Sequence, residues 1–216
     1  MEKIRIYLIR HGRQESALCN VDVKLCKAGI KQAELVGERL KTYGIRKIYS
    51  SNLIRAVETA QIINKNINVS HECMEGLKEI DFGELTGLED SVIKEKFSDF
   101  LKKRDLYDED MPFPDGENGK QVYDRAKECI DKIVEEALED NMDSIAVVSH
   151  GGTIRSILAG LLGMPMEKRL LFSKTMENTA ITQIDYNTKM NRYYVERIND
   201  YAHLEGHDDL LRKYFK

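Results

Sequence analysis

Along the first third of the chain, the spacing of hydrophobic residues passes twice from the two-residue period of a strand to the period of a helix. Within residues 3–9, Ile4, Ile6 and Leu8 alternate while the other face is also largely apolar, which predicts a buried strand. Residues 28–43 carry apolar side chains at helical spacing and stop at Gly44. A short strand over residues 45–50 and a helix over 53–64 repeat the alternation.

The middle of the chain is less regular than either end. Residues 66–118 contain a charged helical stretch at 91–104 and a loop with two prolines and a glycine, and we interpret the segment as an insertion that covers the active site. Regular periodicity then returns. It predicts a helix at 119–138, a strand at 144–149, a helix at 151–162, and strands at 180–186 and 192–198 joined by a turn.

Alternating strands and helices need crossover connections and therefore favour parallel pairing. The pattern predicts an α/β protein of three layers, α/β/α, with a mostly parallel central sheet and a single domain over residues 1–216. Ligands of such sheets bind outside the carboxyl ends of the strands, near the point where strand order reverses. Candidate chemistry is therefore sought at those ends.

Composition narrows the possible partners. The chain has 216 residues, of which 42% are hydrophobic, and a formal charge of -4, so no net positive field favours nucleic acid. No stretch has the length and apolarity of a signal peptide or a membrane span, so we expect a cytoplasmic protein without a membrane partner. The four cysteines lack metal-ligand spacing and are interpreted as reduced. The oligomeric state stays open, a homodimer being one option.

Two histidines follow the clearest strands. Arg10-His11-Gly12 comes after residues 3–9, and His150-Gly151-Gly152 comes after residues 144–149. Either histidine alone could be an ordinary, partly buried side chain. Two of the five histidines in the same position, each followed by a glycine that lets the backbone approach a ligand, favour an anion site instead.

A further cation lies in the first turn of the helix at 53–64. Arg55 is unfavourable there because the helix dipole already places positive charge at that end, unless an anion is bound. A solvated surface arginine is the alternative for Arg55 taken alone. Together with Arg10, His11 and His150, it indicates a phosphate pocket.

Several motifs in a fixed order resemble those of the histidine phosphatase superfamily, which includes the phosphoglycerate mutases. They are Leu8-Ile9-Arg10-His11-Gly12, Leu25-Cys26-Lys27-Ala28-Gly29, Ser50-Ser51-Asn52-Leu53-Ile54-Arg55, Leu77-Lys78-Glu79-Ile80-Asp81-Phe82-Gly83, Val148-Ser149-His150-Gly151-Gly152, and Asn178-Thr179-Ala180. The resemblance spans nearly the whole chain. It implies a phosphoglycerate mutase-like fold and, within it, the phosphatase branch.

The resemblance also implies the site. His11 is the nucleophile that forms a phosphohistidine; Arg10, Arg55, His150 and Gly151 hold phosphate; and Glu79 is the acid. These roles agree with chemistry, since two arginines neutralise phosphate without a metal or other cofactor, and a carboxyl group protonates the leaving oxygen before activating water. We therefore expect a metal-independent phosphomonoester hydrolase that acts on a phosphorylated small molecule.

Five positions depart from the family pattern or compete for a role. Asp81 and Glu84 compete with Glu79, which the motif favours. The usual polar residues after the first motif are displaced, so Gln14 or Asn20 is expected to take their place at the phosphate. Arg13 indicates either a second anionic group on the substrate or a solvated loop arginine.

Two other functions compete with hydrolysis. A mutase would return the phosphoryl group to a second hydroxyl, but mutases resemble one another in a longer segment before the second histidine and in an acid motif Glu-Arg-His-Tyr-Gly. Glu79-Ile80-Asp81-Phe82-Gly83 resembles the phosphatase version. The third option is a catalytically silent module that binds phosphorylated ligands. The sequence leaves the substrate itself open.

Overall fold

One six-stranded mixed sheet runs through the part of the protein that the structure, a computed structural model, describes, residues 1–212. Its strands are β1 (Lys3–Arg10), β2 (Lys47–Ser50), β3 (Ser70–Cys73), β4 (Ser144–Ser149), β5 (Ile181–Asn187) and β6 (Arg192–Asp200). The domain expected over 1–216 thus extends four residues beyond what is described.

Strand order in the sheet is β3-β2-β4-β1-β5-β6, with the first four strands mutually parallel and β5 antiparallel to β1. The register pairs Arg10 with Ser149, so β1 and β4 end side by side. The amide of His11 continues this pairing by donating to the carbonyl of Ser149 at 2.9 Å. The sheet therefore brings the two histidine motifs to one edge.

Helices cover both faces of the sheet. They are α1 (Lys27–Leu40), α2 (Ile54–Ile67), α3 (Asp90–Lys96), α4 (Ser98–Arg104), α5 (Gly119–Glu139) and α6 (Gly151–Leu161). On one face α1 and α2 bury Val36 and Ala60, and on the other α5 and α6 bury Ile130 and Ile157. The predicted three-layer α/β/α class is confirmed.

Residues 66–118, which the sequence suggests to be an insertion, also contribute a strand to the central sheet. Their first part forms β3, an edge strand of the sheet, and the charged stretch divides at Phe97 into α3 and α4. The half-exposed β3 has no apolar alternation because its position is set by backbone pairing with β2. The rest has its own core around Phe113 and Ile80.

His203 ties the C-terminal part of the chain to the sheet. The hydroxyl of Thr179 donates to the carbonyl of Asn178 at 2.7 Å, so Nε2 of His203 must donate to that hydroxyl at 2.9 Å. Nδ1 then faces Arg39 at 3.5 Å and accepts. Burial, and then the charge of Arg39, lower the pKa of His203 to about 4.

This histidine should make folding sensitive to acid. The unfolded chain takes up the proton near pH 6.5 but the folded chain only near 4, so stability is complete above 6.5 and falls between those values, by up to about 3 kcal/mol from this group. We expect His203→Gln to flatten that part of the pH dependence, measured by urea unfolding between pH 7.5 and 4.5. An unchanged slope in the variant would contradict the assignment.

Candidate active site

His11 lies immediately after β1 with one ring nitrogen fixed by the backbone. Its Nδ1 is 2.7 Å from the carbonyl oxygen of Gly12, so Nδ1 carries the proton and donates it. The other nitrogen, Nε2, is unprotonated and can accept a hydrogen bond. The carbonyl of His11 accepts from the amide of Asn178 at 2.9 Å, and Gly12 donates its N–H to Thr59 at 3.0 Å, which fixes the whole turn.

The surroundings keep the His11 ring neutral. The side chain is buried, and burial, followed by the charges of Arg10 and Arg55, holds its pKa well below the ordinary value of 6.5. A neutral imidazole is the nucleophilic form. The ring therefore has the correct proton at Nδ1 and an unprotonated Nε2 at neutral pH.

Arg55 reaches this nitrogen from the first turn of α2. Its Nε is 3.3 Å from Nε2 of His11, and its two terminal nitrogens donate to the Val21 carbonyl at 3.1 Å and to Oδ1 of Asn20 at 2.9 Å. The side chain is only 1% exposed, so it is not a solvated surface arginine. Asn20, one of the two residues expected to replace the displaced polar groups, thus orients Arg55.

Arg10 lies beside His11 as a half-buried residue whose Nε atom is fully buried. One terminal nitrogen donates to the Met176 carbonyl, while Nε has no hydrogen-bond partner within residues 1–212. Burial lowers the pKa of Arg10, against the opposing charges of Glu79 and Glu177. A buried guanidinium with a free N–H group is suited to an anion.

His150 faces His11 across the site, with ring centroids 5.0 Å apart. Its Nε2 is 2.8 Å from the hydroxyl of Ser51, and its buried Nδ1 has no partner in the described chain. Burial, followed by the charges of His11 and Arg55, holds its pKa well below 6.5. If the Ser51 hydroxyl donates to Nε2, Nδ1 is a neutral N–H donor for a bound oxyanion.

Glu79 lies against the N-terminus of α6. Its carboxylate accepts from the backbone of Ile80 at 3.0 Å, of Thr153 at 3.2 Å and of Gly152 at 3.3 Å. A Cβ atom at position 152 would lie only 2.6 Å from the Glu79 carboxylate. Glycine at this position therefore makes room for Glu79.

The two competing carboxylates lie elsewhere. Asp81 is exposed and accepts from the backbone of Gly83 at 2.9 Å, forming a turn. Glu84 is also exposed, and neither residue lines the cavities at the site. Of the three candidates, geometry brings Glu79 to the arginines and histidines.

The side chains of Gln14 and Arg13 both donate hydrogen bonds to backbone carbonyls. The Gln14 amide donates to the carbonyls of Ser16 at 3.0 Å and Leu18 at 3.4 Å, although its side chain lines a cavity with His11. Arg13 donates to the carbonyls of Leu210 and Leu211 at 2.6 and 3.1 Å. Arg13 thus bonds to the C-terminal segment, and it lines the same cavity as His11.

Two cavities meet at Arg10 and Arg212. One, of about 790 Å³, contains His11 and Asn178, and the other, of about 440 Å³, contains Glu79 and Gly152. His11 and Glu79 therefore line different cavities, and Arg10 and Arg212 line both of them.

Residues 6–200 match the model of the histidine phosphatase superfamily, branch 1. The chain belongs to this superfamily. A broad-specificity phosphatase of Saccharomyces cerevisiae is 28% identical, with 93% of this chain and 87% of that protein covered. A probable phosphoglycerate mutase of Proteus mirabilis is also 28% identical, with 93% and 95% covered.

Solved structures of histidine phosphatases share the fold. A mycobacterial glucosyl-3-phosphoglycerate phosphatase with inorganic phosphate gives a TM-score of 0.82 at 24% identity, covering 93% of this chain and 99% of the other. A phosphoglycerate mutase of Bacillus anthracis gives 0.75 at 26% identity, covering 94% and 96%. The family comparison thus includes both phosphatases and mutases.

Several residues at this histidine phosphatase site were not predicted to belong to it. His150 forms a hydrogen bond with Ser51, and the turn at His11 forms hydrogen bonds with Thr59 and Asn178. Of these three partners, Ser51 and Asn178 lie within the family motifs. Arg155 and Arg212 line the cavity with Glu79. No motif marks those arginines, because their position depends on how α6 and the C-terminal segment pack.

No helix in residues 1–212 has the length and apolarity to cross a membrane.

Proposed function

We propose that this chain is a phosphomonoester hydrolase that works through a phosphohistidine on His11. The observation that carries the proposal is the His11 ring itself, which is neutral, donates from Nδ1 to Gly12 and points Nε2 at Arg55. In the first step the electron pair of Nε2 forms a bond to phosphorus, and the bond from phosphorus to the ester oxygen breaks. Glu79 gives its proton to the departing alkoxide.

The second step reverses these roles. Glu79, now a carboxylate, takes a proton from water as the water oxygen bonds to phosphorus, and the nitrogen–phosphorus bond breaks. Inorganic phosphate leaves, and His11 returns to its neutral form. Glu79 is therefore protonated again for the next cycle, so the pair of steps consumes one water and releases one alcohol.

Charge on the transferred group is balanced by the basic residues around it. We assign the non-bridging oxygens to Arg10, Arg55 and His150, with the N–H groups at Gly151 and the start of α6 beside them. The unpartnered Nε of Arg10 and Nδ1 of His150 are directed donors for this purpose. Gln14 keeps only a peripheral place in this scheme, because its amide is used by the loop.

A direct test is the release of inorganic phosphate from para-nitrophenyl phosphate by the purified chain. We expect multiple turnovers per active site. A silent binding module would bind phosphate or vanadate without releasing product, and that result would overturn the proposal.

Hydrolysis should not require a metal ion, since the buried arginines can neutralise the phosphoryl group by themselves. We expect the rate to be unchanged, within about twofold, after exhaustive dialysis against EDTA. The check is a progress curve before and after dialysis, with Mg²⁺ or Zn²⁺ added back to separate aliquots. Loss on dialysis with recovery on adding either metal would contradict this mechanism.

Mutase activity is the second candidate, favoured by the relatives named as probable phosphoglycerate mutases at 28 to 29% identity. Incubation with 3-phosphoglycerate distinguishes the two. Hydrolysis gives inorganic phosphate and glycerate, whereas a mutase gives the 2-phospho isomer with little free phosphate. We expect the first outcome with any phosphoglycerate that the chain accepts.

A further inference from the structure

The cavity of about 440 Å³ on the Glu79 side of the site is unusually cationic. Because Glu79 is assigned to protonate the leaving oxygen, the alcohol portion of the substrate must lie in this cavity. Its lining includes Arg10, Arg104, Arg155, Arg169, Lys174 and Arg212, and Glu79 is the carboxylate among its lining residues in the described chain. The charge exceeds what one phosphoryl group needs.

Arg104, at the end of α4, is the most informative of these cations. It lies over the ring of Phe113, with the guanidinium carbon 4.8 Å from the ring centroid. Its buried Nε has no hydrogen-bond partner, and no carboxylate in residues 1–212 forms an ion pair with it. Burial lowers the pKa of Arg104, and the nearby charge of Arg169 acts in the same direction.

Arg155, on α6, is a second guanidinium without a carboxylate partner in the described chain. Its Nε and one terminal nitrogen both donate to the carbonyl of Ser173, at 3.2 and 2.6 Å, which leaves the other terminal nitrogen toward the cavity near Gly151. Burial, and then Arg10, lower its pKa to about 10. Arg169 differs, since Asp110 neutralises it at 2.6 Å.

Buried charges in proteins are normally paired, because an isolated charge in a poorly hydrated site is costly. Asp105 lies near Arg104 and Glu79 near Arg155, but neither carboxylate forms an ion pair with its arginine in the described chain. In the cavity that receives the leaving group, these two guanidiniums are therefore suited to negative charge from the ligand. The remaining wall is apolar and includes Phe82, Phe113 and Met176. It offers contact to a short carbon chain between the two ends of a ligand.

We propose that the preferred substrates carry a second anionic group, a carboxylate or a second phosphate, on the alcohol portion, held by Arg104 and Arg155. This inference rests on the proposed hydrolase function and specifies its substrate class. A planar guanidinium pairs with either anion through two parallel N–H bonds, so the shared chemistry is a bidentate acceptor. In this arrangement Arg10 and Arg55 hold the phosphoryl group, and the second anion lies in the cavity on the Glu79 side.

A length series tests this directly. The probes are phosphate monoesters of ω-hydroxy carboxylic acids with two, three and four carbons, each matched with the monophosphate of the corresponding diol. A parallel set carries a second phosphate in place of the carboxylate. We expect kcat/KM for the best anionic probe to exceed that of its neutral match by about 10- to 100-fold, the range of a charged hydrogen-bonded pair.

Variants assign the preference to residues. Arg104→Gln and Arg155→Gln should each reduce the ratio of anionic to neutral kcat/KM by about tenfold, and Arg104→Lys should restore part of it. Lys102→Gln is the matched control, since Lys102 is an exposed cation on the same helix, paired with Asp99. Its ratio should equal that of the unmodified chain. Circular dichroism identifies any variant that fails to fold.

Phosphonate analogues separate this inference from the hydrolase proposal, because they bind without turnover. Tighter calorimetric binding of the carboxylated phosphonate, weakened in Arg104→Gln, supports the second anion site even if no ester is hydrolysed. Equal binding and equal kcat/KM for charged and neutral probes would overturn it while leaving hydrolysis intact. Retention of the full preference in both arginine variants would overturn it as well.

Discussion

Replacement of His11 by alanine is expected to lower kcat for phosphomonoester hydrolysis by about 10⁴-fold or more, the scale on which loss of a covalent nucleophile acts. Nε2 of His11, which lies 3.3 Å from Nε of Arg55, is the atom that attacks phosphorus in the proposed mechanism. Alanine offers no atom that can form this bond. Steady-state release of phosphate from an aryl phosphate measures the effect. Binding of vanadate should persist, because Arg10 and Arg55 remain.

A matched control guards against a general loss of structure. His71→Asn changes a half-buried histidine on β3 that lies outside both cavities, so its kcat should stay near that of the unmodified chain. Substantial turnover by His11→Ala with the same leaving-group dependence would mean that another group attacks phosphorus.

The second large effect is expected at Glu79 and should depend on the leaving group. An alkyl alcohol leaves poorly without a proton, so Glu79→Gln should slow alkyl phosphate turnover by about 100- to 10,000-fold. An activated aryl phosphate needs less help in the first step. With that substrate the variant should accumulate phosphoenzyme, because the base for water is missing. Rapid-quench measurements on both substrates give the two rates.

Glu84→Gln is the control for this comparison, since Glu84 is an exposed carboxylate five positions along the same segment. We expect it to match the unmodified chain on both substrates. The opposite pattern, with Glu84→Gln slow on alkyl phosphates and Glu79→Gln active, would move the acid to Glu84. Equal sensitivity of alkyl and aryl substrates to Glu79→Gln would remove its role as a proton donor.

Much of the fold was predictable because its central elements carry strong periodicity. The alternation of Ile4, Ile6 and Leu8 predicts β1, and the bounds of β4 agree residue for residue with the predicted 144–149. β3 was missed because its four residues have no apolar alternation, and an edge strand paired on one side does not need one. Tertiary pairing alone places it.

The site was predictable where local sequence and backbone position coincide. Arg10 is the last residue of β1, and His11 and His150 are the first residues after β1 and β4. These two parallel strands end side by side, which brings the three residues together. The backbone partners of Arg13 could not be predicted, because the C-terminal segment reaches them only through long-range packing. The same holds for Arg104 and Arg155, which only the packing of α4 and α6 brings to one cavity.

Trapping the intermediate shows whether His11 becomes a phosphohistidine. Acid would destroy it, so the reaction with a ³²P-labelled aryl phosphate is stopped in alkali and the protein is digested and mapped by mass spectrometry. We expect one alkali-stable, acid-labile phosphoryl group on the peptide that contains His11, with greater yield in Glu79→Gln. Label on a serine, a cysteine or another histidine, or turnover with no labelled protein in either chain, would contradict it.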